Sequence, residues 1–139
     1  MILLDDKLLS VNEIDNYYEN PRHKVGISEN DTLSKLFNQV GFQNMFNLTK
    51  DIYEHGFIRA NRIIVVKNNK NKRYTVDEGN RRIACAKLLK NPEKFNFLPK
   101  NQIDRVKAMR KKFTSKIDLD KIPCSVVEEK EAFFIMERV

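Results

Sequence analysis

The fold is decided by the stretch 74-YTVDEGNRRIACAKLL-89, in which a strand pattern changes to a helical pattern at one glycine. Residues 74–77 continue a short run typical of a strand, and apolar residues after Gly79 recur at helical spacing, 84 with 88 and 85 with 89. Lys87 and Lys90 are expected to face away from that apolar side. Asn91-Pro92 ends the helix, because proline does not continue it. The stretch therefore predicts a strand, an abrupt turn and a helix.

The start of this helix is the chemically informative feature. Gly79 lacks the Cβ that would keep another group away from the backbone, and Asn80 can cap the helix by accepting a hydrogen bond from a first-turn amide. Arg81 and Arg82 follow, although positive charge at a helix N-terminus opposes the helix dipole at ~0.3–1 kcal/mol each. A phosphate or carboxylate would reverse that cost, since amides and guanidinium groups would converge on it. The alternative is that both arginines pair with the two acids directly before the glycine.

The rest of the sequence predicts a small mixed sheet flanked by helices, an α/β (α+β) class. Strands are expected within 7–14, at 61–67 paired with 73–77 as a hairpin, and at 122–127. One helix is capped by Ser28 or Asn30 and ends at Gly41. Three more are expected at about 43–55 with Leu48, Ile52 and His55 on one side, at 102–113 with Ile103, Val106, Met109 and Phe113 inside, and at 130–139.

Length and composition favour one globular domain. The chain has 139 residues, enough for a substantial core, and no window long and apolar enough to cross a bilayer. Its two cysteines, Cys85 and Cys124, stand in no metal-ligand spacing, and so few thiols predict a reducing compartment. Together with the missing apolar window, this predicts a cytoplasmic location without membrane contact. The last helix runs to the final residue without a stop signal. We therefore expect residues 1–139 to be the N-terminal part of a longer protein.

The net charge of +7 is concentrated in one segment. Residues 94–116 contain eight basic residues and one acid, Asp104, while the rest of the chain is balanced. A basic stripe of this kind is typical of contact with nucleic acid, and a solvated helix face is the alternative. The predicted nucleic-acid patch on this segment comprises Arg105, Lys107, Arg110, Lys111 and Lys112.

The segment 78-EGNRRIA-84, placed after a hairpin and before Lys87, resembles the Gly-x-x-Arg-x-x-Ala signature of the ParB/sulfiredoxin-like superfamily. The resemblance extends along most of the chain. Residues 14–22, ending 19-ENPR-22, are similar to the segment that opens the family, 48–66 to its helix, glycine and strand, and 122–127 to a short strand near its end. Residues 93–120 are a less typical basic helical insert.

The resemblance implies a compact domain in which this helix N-terminus binds nucleotide phosphates. The implied phosphate-binding set is Gly79, Asn80, Arg81, Arg82, Arg22 and Asn20. The implied cofactor is a nucleoside triphosphate, CTP or ATP, with Mg²⁺, and Glu137 stands where the family's acidic motif on a late helix would begin. Sulfiredoxin needs a cysteine directly after the motif glycine. Asn80 occupies that place, so sulfinic acid reduction is not expected.

Three functions are consistent with these features. The first is a nucleotide-binding module of a DNA-associated protein of the partition, plasmid or phage-defence type, with nucleotide and DNA as partners and dimerisation through parts outside these residues. The second is an enzyme of the same fold, an NTP hydrolase, phosphotransferase or nuclease, whose candidate catalytic acids are Glu78 and Glu19. The third is a plain nucleic-acid-binding domain. Fold alone does not decide among them.

Overall fold

The predicted hairpin forms the middle of the sheet. In the computed structural model, whose described residues are 5–17, 28–57, 62–112 and 117–128, strands β3 (Ile63–Lys67) and β4 (Tyr74–Glu78) pair antiparallel. The run at 63–66 is β-branched, and Ile63, Val65 and Val66 are buried. The loop closes with a backbone hydrogen bond of 2.7 Å from Asn68 N to Arg73 O. The prediction of a hairpin is confirmed.

Three further strands complete a five-stranded mixed sheet within the described ranges. They are β1 (Asp5–Leu9), β2 (Ile14–Asp15) and β5 (Ile122–Val127), and the strand order is β1-β5-β3-β4-β2. β5 pairs antiparallel with β1 and parallel with β3, while β2 pairs parallel with β4. The single strand expected within 7–14 is instead two, because a short 3₁₀ turn at Val11–Glu13 separates β1 from β2.

Four α-helices are present in the same ranges. They are α1 (Glu29–Val40), α2 (Phe42–His55), α3 (Asn80–Lys90) and α4 (Lys100–Lys112). The Ser28 hydroxyl caps α1 by accepting from the Asp31 amide at 3.1 Å, as predicted. On α2 the buried residues are Met45, Thr49 and Ile52, and Leu48 packs against the same core, so the predicted inner side is confirmed at Leu48 and Ile52. The prediction is wrong at His55, which is exposed.

Helix α3 lies between two apolar cores. Ile83 and Ala86 belong to the core formed with the sheet, whereas Ala84, Cys85, Leu88 and Leu89 belong to the core formed with the other three helices. A helix that is apolar on both sides is a buried helix. The strand–turn–helix unit therefore occupies the centre of the fold and holds the turn before α3 in a fixed place.

Some expectations fall outside the described residues. They are the loop that follows Tyr17, the inward Phe113 and the helix at 130–139. Val106 and Met109 of α4 are buried as predicted, while Ile103 is half-buried. No helix within the described ranges has the length and apolar character needed to span a membrane.

Candidate functional site

Gly79 makes the turn between β4 and α3. Its backbone is left-handed, with φ 101° and ψ 25°, and it is the N-cap of α3. A Cβ at this position would lie 3.0 Å from Cγ1 of the buried Ile63. A side chain would therefore be disfavoured twice, by the backbone angle and by the contact with β3. The turn requires glycine, which agrees with the sequence interpretation.

Asn80 does not cap α3 with its side chain, contrary to our prediction. Its Oδ1 accepts from the Tyr17 amide at 2.8 Å, and its Nδ2 donates to the Tyr17 carbonyl at 3.1 Å. Asn16 Nδ2 donates to both the carbonyl and Oδ1 of Asn80 at 2.9 Å. The Asn80 carboxamide thus pairs with both backbone groups of Tyr17, as a neighbouring strand would, and holds residues 16–17 against the start of the helix. The backbone amide of Asn80 and the second N–H of its carboxamide have no acceptor among the described residues.

Arg81 and Arg82 have no hydrogen-bonding or ion-pairing partner in the part of the chain that the structure describes. In particular, neither pairs with Asp77 or Glu78, the local acids of the alternative interpretation. Arg81 is exposed and Arg82 is half-buried. The first intrahelical hydrogen bond runs from the Ile83 amide to the Gly79 carbonyl at 3.1 Å. The amides of residues 80–82 therefore have no acceptor within the helix.

The α3 N-terminus (residues 79–82) thus combines amides without an intrahelical acceptor, the positive end of a helix dipole and two guanidinium groups that have no partner among the described residues. Each of these features attracts anionic oxygen, and together they suit a phosphate better than any neutral group. Glu78, at the end of β4, is exposed and is the carboxylate nearest to this site in sequence. The other predicted site residues, Glu19, Asn20, Arg22 and Glu137, lie outside the described residues.

Sequence reasoning missed a polar network beside this site. Lys87, expected to face away, has a side chain only 13% exposed and donates to Asn16 Oδ1 at 2.7 Å and to Glu29 Oε1. Glu29 Oε1 also accepts from the Asn16 amide at 3.4 Å. Burial lowers the pKa of Lys87, and the charge of Glu29 opposes that shift. The spacing offered a signal, because Lys87 follows Asn80 by seven residues and so lies on the same face of α3.

The predicted nucleic-acid patch is divided by its contacts. The guanidinium carbon of Arg105 lies 4.4 Å from the ring centroid of Phe46, and Lys107 Nζ lies 2.8 Å from Glu93 Oε1. Hydrogen bonding and the charge of Lys107 lower the pKa of Glu93. Arg110 and Lys111 are exposed in the last turn of α4, as is Lys112. The patch is thus basic at its C-terminal end and held by protein contacts at Arg105 and Lys107.

The two cysteines are free, buried thiols. Burial raises the pKa of each to about 12, although hydrogen bonding to Thr49 partly offsets the effect at Cys85. Such thiols are poor nucleophiles at neutral pH. Among the described residues, no group of three or more His, Cys, Asp or Glu side chains is arranged to hold a metal ion.

No known family model, curated protein or solved structure matches this chain.

Proposed function

We propose that this chain is a ParB/sulfiredoxin-like module that binds the phosphates of a nucleoside triphosphate at the α3 N-terminus, within a DNA-associated protein of the partition, plasmid or phage-defence type. The observation that carries the proposal is the pair Arg81 and Arg82. Two cations stand where the helix dipole is unfavourable to them, and no described carboxylate neutralises them. An anionic ligand is the simplest physical reason for such a pair.

The surrounding structure favours phosphate over a single carboxylate. Three backbone amides and two forked guanidinium groups supply more donors than one carboxylate accepts, whereas a chain of phosphates has enough acceptor oxygens. Gly79 lets the chain turn tightly against Ile63 at the helix start, and Asn80 holds residues 16–17 beside it. A triphosphate with Mg²⁺, as the family resemblance implies, fits this donor set. The bound metal would supply charge neutralisation, while the protein residues would orient the phosphates.

A thermal-shift experiment with CTP, ATP and GTP in the presence of Mg²⁺ tests the proposal. A ligand that binds only the folded chain stabilises it by ~2.7 kcal/mol at a concentration of 100 Kd, which corresponds to a rise in Tm of roughly 5–15 °C. We expect Arg82→Ala to remove the shift and Lys100→Ala, an exposed lysine of α4, to leave it intact. Absence of a shift with all three nucleotides would contradict the proposal.

A phosphate-release assay beside the thermal-shift measurement distinguishes an enzyme from a binding module. Glu78 is the described acid next to the phosphate donors in sequence, and it is exposed to an incoming water or substrate. If the protein is an NTP hydrolase, incubation with nucleotide and Mg²⁺ releases phosphate and Glu78→Gln abolishes that release. If it is a binding module, the nucleotide is recovered intact while the thermal shift persists.

Nucleic-acid binding through α4 is the second candidate, and the exposed basic residues Arg110 and Lys111 favour it. Contact with phosphate backbone would release counterions, so the logarithm of affinity would fall linearly with the logarithm of salt concentration. Exchanging Arg110 and Lys111 for alanine should weaken duplex binding and flatten that slope. Equal weakening by Arg81→Ala and Arg82→Ala would instead place nucleic-acid phosphate at the α3 N-terminus.

A further inference from the structure

A groove of about 780 Å³ runs beside the second half of α3 and the start of α1. Among its described lining residues, none belongs to 79–82, so the groove is separate from the α3 N-terminus. Its volume is within the range of small-molecule sites, ~300–1,000 Å³. The lining combines apolar side chains, carboxamides and charged groups, as sites for small polar ligands do.

One side of the groove carries a row of hydrogen-bond donors. Lys87, Lys90, Asn91 and Lys94 follow one another at the spacing of a helix face, continued past the end of α3 through the 3₁₀ turn Pro92–Lys94. An ammonium group has three donors. Lys87 uses two of them, on Asn16 and Glu29, and Lys90 uses one, on Asp120 at 2.6 Å. The side chains of Asn91 and Lys94 have no partner in the described part of the chain.

The cations of the lining are Arg73 and the three lysines, and its carboxylates are Glu29 and Glu93. Arg73 and Lys90 also pair with two acids outside the lining, Asp15 and Asp120. Both carboxylates already have a cationic partner, Glu29 with Lys87 and Glu93 with Lys107. Among the described residues, Lys94 is therefore the lining cation without an acidic partner, and Lys90 keeps two of its three donors for an anion.

Helix-dipole stabilisation alone does not account for the row. Lysines in the last turn of a helix complement its negative end, which explains Lys87 and Lys90. Asn91 and Lys94 stand beyond the last turn, yet they line the same groove. Leu33, which is 7% exposed, adds an apolar surface to the lining that a simple inorganic anion would not need.

We propose that this groove binds an organic phosphate of about mononucleotide size, independently of the α3 N-terminus. Its anionic oxygens bind Lys90, Asn91 and Lys94, and its apolar body packs toward Leu33. The carboxamides of Asn30 and Asn96, which also line the groove, offer paired donors and acceptors to the polar edge of such a body.

Adenosine 5′-monophosphate is a suitable probe, with adenosine and inorganic phosphate as its two separate parts. We expect saturable binding of the monophosphate in calorimetry, and binding at least ~10-fold weaker for either part alone. Asn91→Ala with Lys94→Ala should weaken binding by about tenfold or more, because charge-assisted hydrogen bonds are lost. Lys100→Ala removes an equal charge outside the groove and should leave the affinity unchanged.

Lysine acylation followed by mass spectrometry locates the bound probe. The monophosphate should protect Lys94 and Lys90 while Lys100 and Lys111 react as before. Arg81→Ala with Arg82→Ala should leave this protection intact, even where it abolishes triphosphate binding. The proposal is overturned if no lysine of the groove is protected, if inorganic phosphate binds as tightly as the monophosphate, or if the arginine variants abolish protection.

Discussion

Replacement of Arg81 by alanine should raise the stability of the unliganded protein. Arg81 stands in the first turn of α3, is exposed, and has no ion pair or hydrogen bond to lose within the described chain. Removing a positive charge from a helix N-terminus recovers ~0.3–1 kcal/mol, and alanine also has a slightly better helix propensity than arginine. We therefore expect the free energy of unfolding to increase by about that amount, a rise in Tm of roughly 1–5 °C.

Arg110 provides a matched control of opposite sign. It is an exposed arginine in the last turn of α4, where positive charge complements the dipole, and its charge also acts favourably on Glu93. Arg110→Ala should therefore lower the free energy of unfolding, while Arg81→Ala raises it. Urea denaturation at low ionic strength measures both changes. In 1 M NaCl, where the screening length is about 3 Å, the two changes should shrink together.

The outcome that would refute this reasoning is a loss of stability in Arg81→Ala greater than ~1 kcal/mol, since charge at an exposed helix end cannot account for it. Such a loss would mean that the arginine holds the fold together. Addition of inorganic triphosphate should make wild type more stable than Arg81→Ala, because only wild type presents both guanidinium groups to the anion. A variant that is more stable when empty and less stable when saturated would identify Arg81 as a residue kept for binding.

Four further perturbations test other parts of the account. Gly79→Ala should lower the free energy of unfolding by ~2–4 kcal/mol in urea denaturation, because backbone strain adds to the contact with Ile63. Gly41→Ala, with φ 90° and no atom within 4 Å of the new Cβ, should lower it by only ~1–2 kcal/mol. Equal losses would show that the contact with Ile63 contributes nothing. Asn80→Ala should lower the free energy of unfolding by ~1–3 kcal/mol, because its hydrogen bonds to Asn16 and Tyr17 are lost. The control Asn44→Ala, at an exposed position, should lower it by less than ~0.5 kcal/mol. An equal loss in the two variants would show that Asn80 does not hold residues 16–17 in place. Burial lowers the pKa of Lys87, so between that lowered pKa and 10.5 the unfolded chain binds more protons than the folded chain. The free energy of unfolding of wild type should therefore rise relative to that of Lys87→Met as pH increases through this window. Parallel curves of stability against pH for the two proteins would contradict this prediction. Cys85, whose pKa burial raises to about 12, should react with a thiol reagent at pH 8 only as fast as the protein opens, and labelling at the rate of the denatured chain would show an accessible thiol.

Most secondary structure was predictable because local signals and tertiary packing agree. The run 122–127 forms β5 with the bounds expected from its apolar pattern, and α1 begins after Ser28 and ends at Gly41 as their capping chemistry predicts. The exception is 7–14, where one strand was expected and the chain forms two, β1 and β2. Ser10 and Glu13 form a reciprocal pair of capping hydrogen bonds that turns the chain. That capping box was present in the sequence and outweighs the apolar pattern around it.

The candidate site was only half predictable. The left-handed turn at Gly79 and the two arginines after it lie within one short segment, and so a local pattern describes them. The role of Asn80 depends on Asn16, and that of Lys87 on Glu29, both more than 50 positions away in the chain. Nothing in residues 78–84 distinguishes a capping asparagine from one that clamps a distant segment, since both uses need the same carboxamide. Strand pairing and helix packing make that choice.

Titration of the ¹⁵N-labelled protein with a nucleoside triphosphate and Mg²⁺, observed through the backbone amides of Asn80, Arg81 and Arg82, tests the central claim most directly. If the α3 N-terminus binds phosphate, these three amide resonances move first, saturate together and stay still in Arg82→Ala. If they remain unmoved while resonances of α4 or of no residue respond, the α3 N-terminus is not a phosphate site.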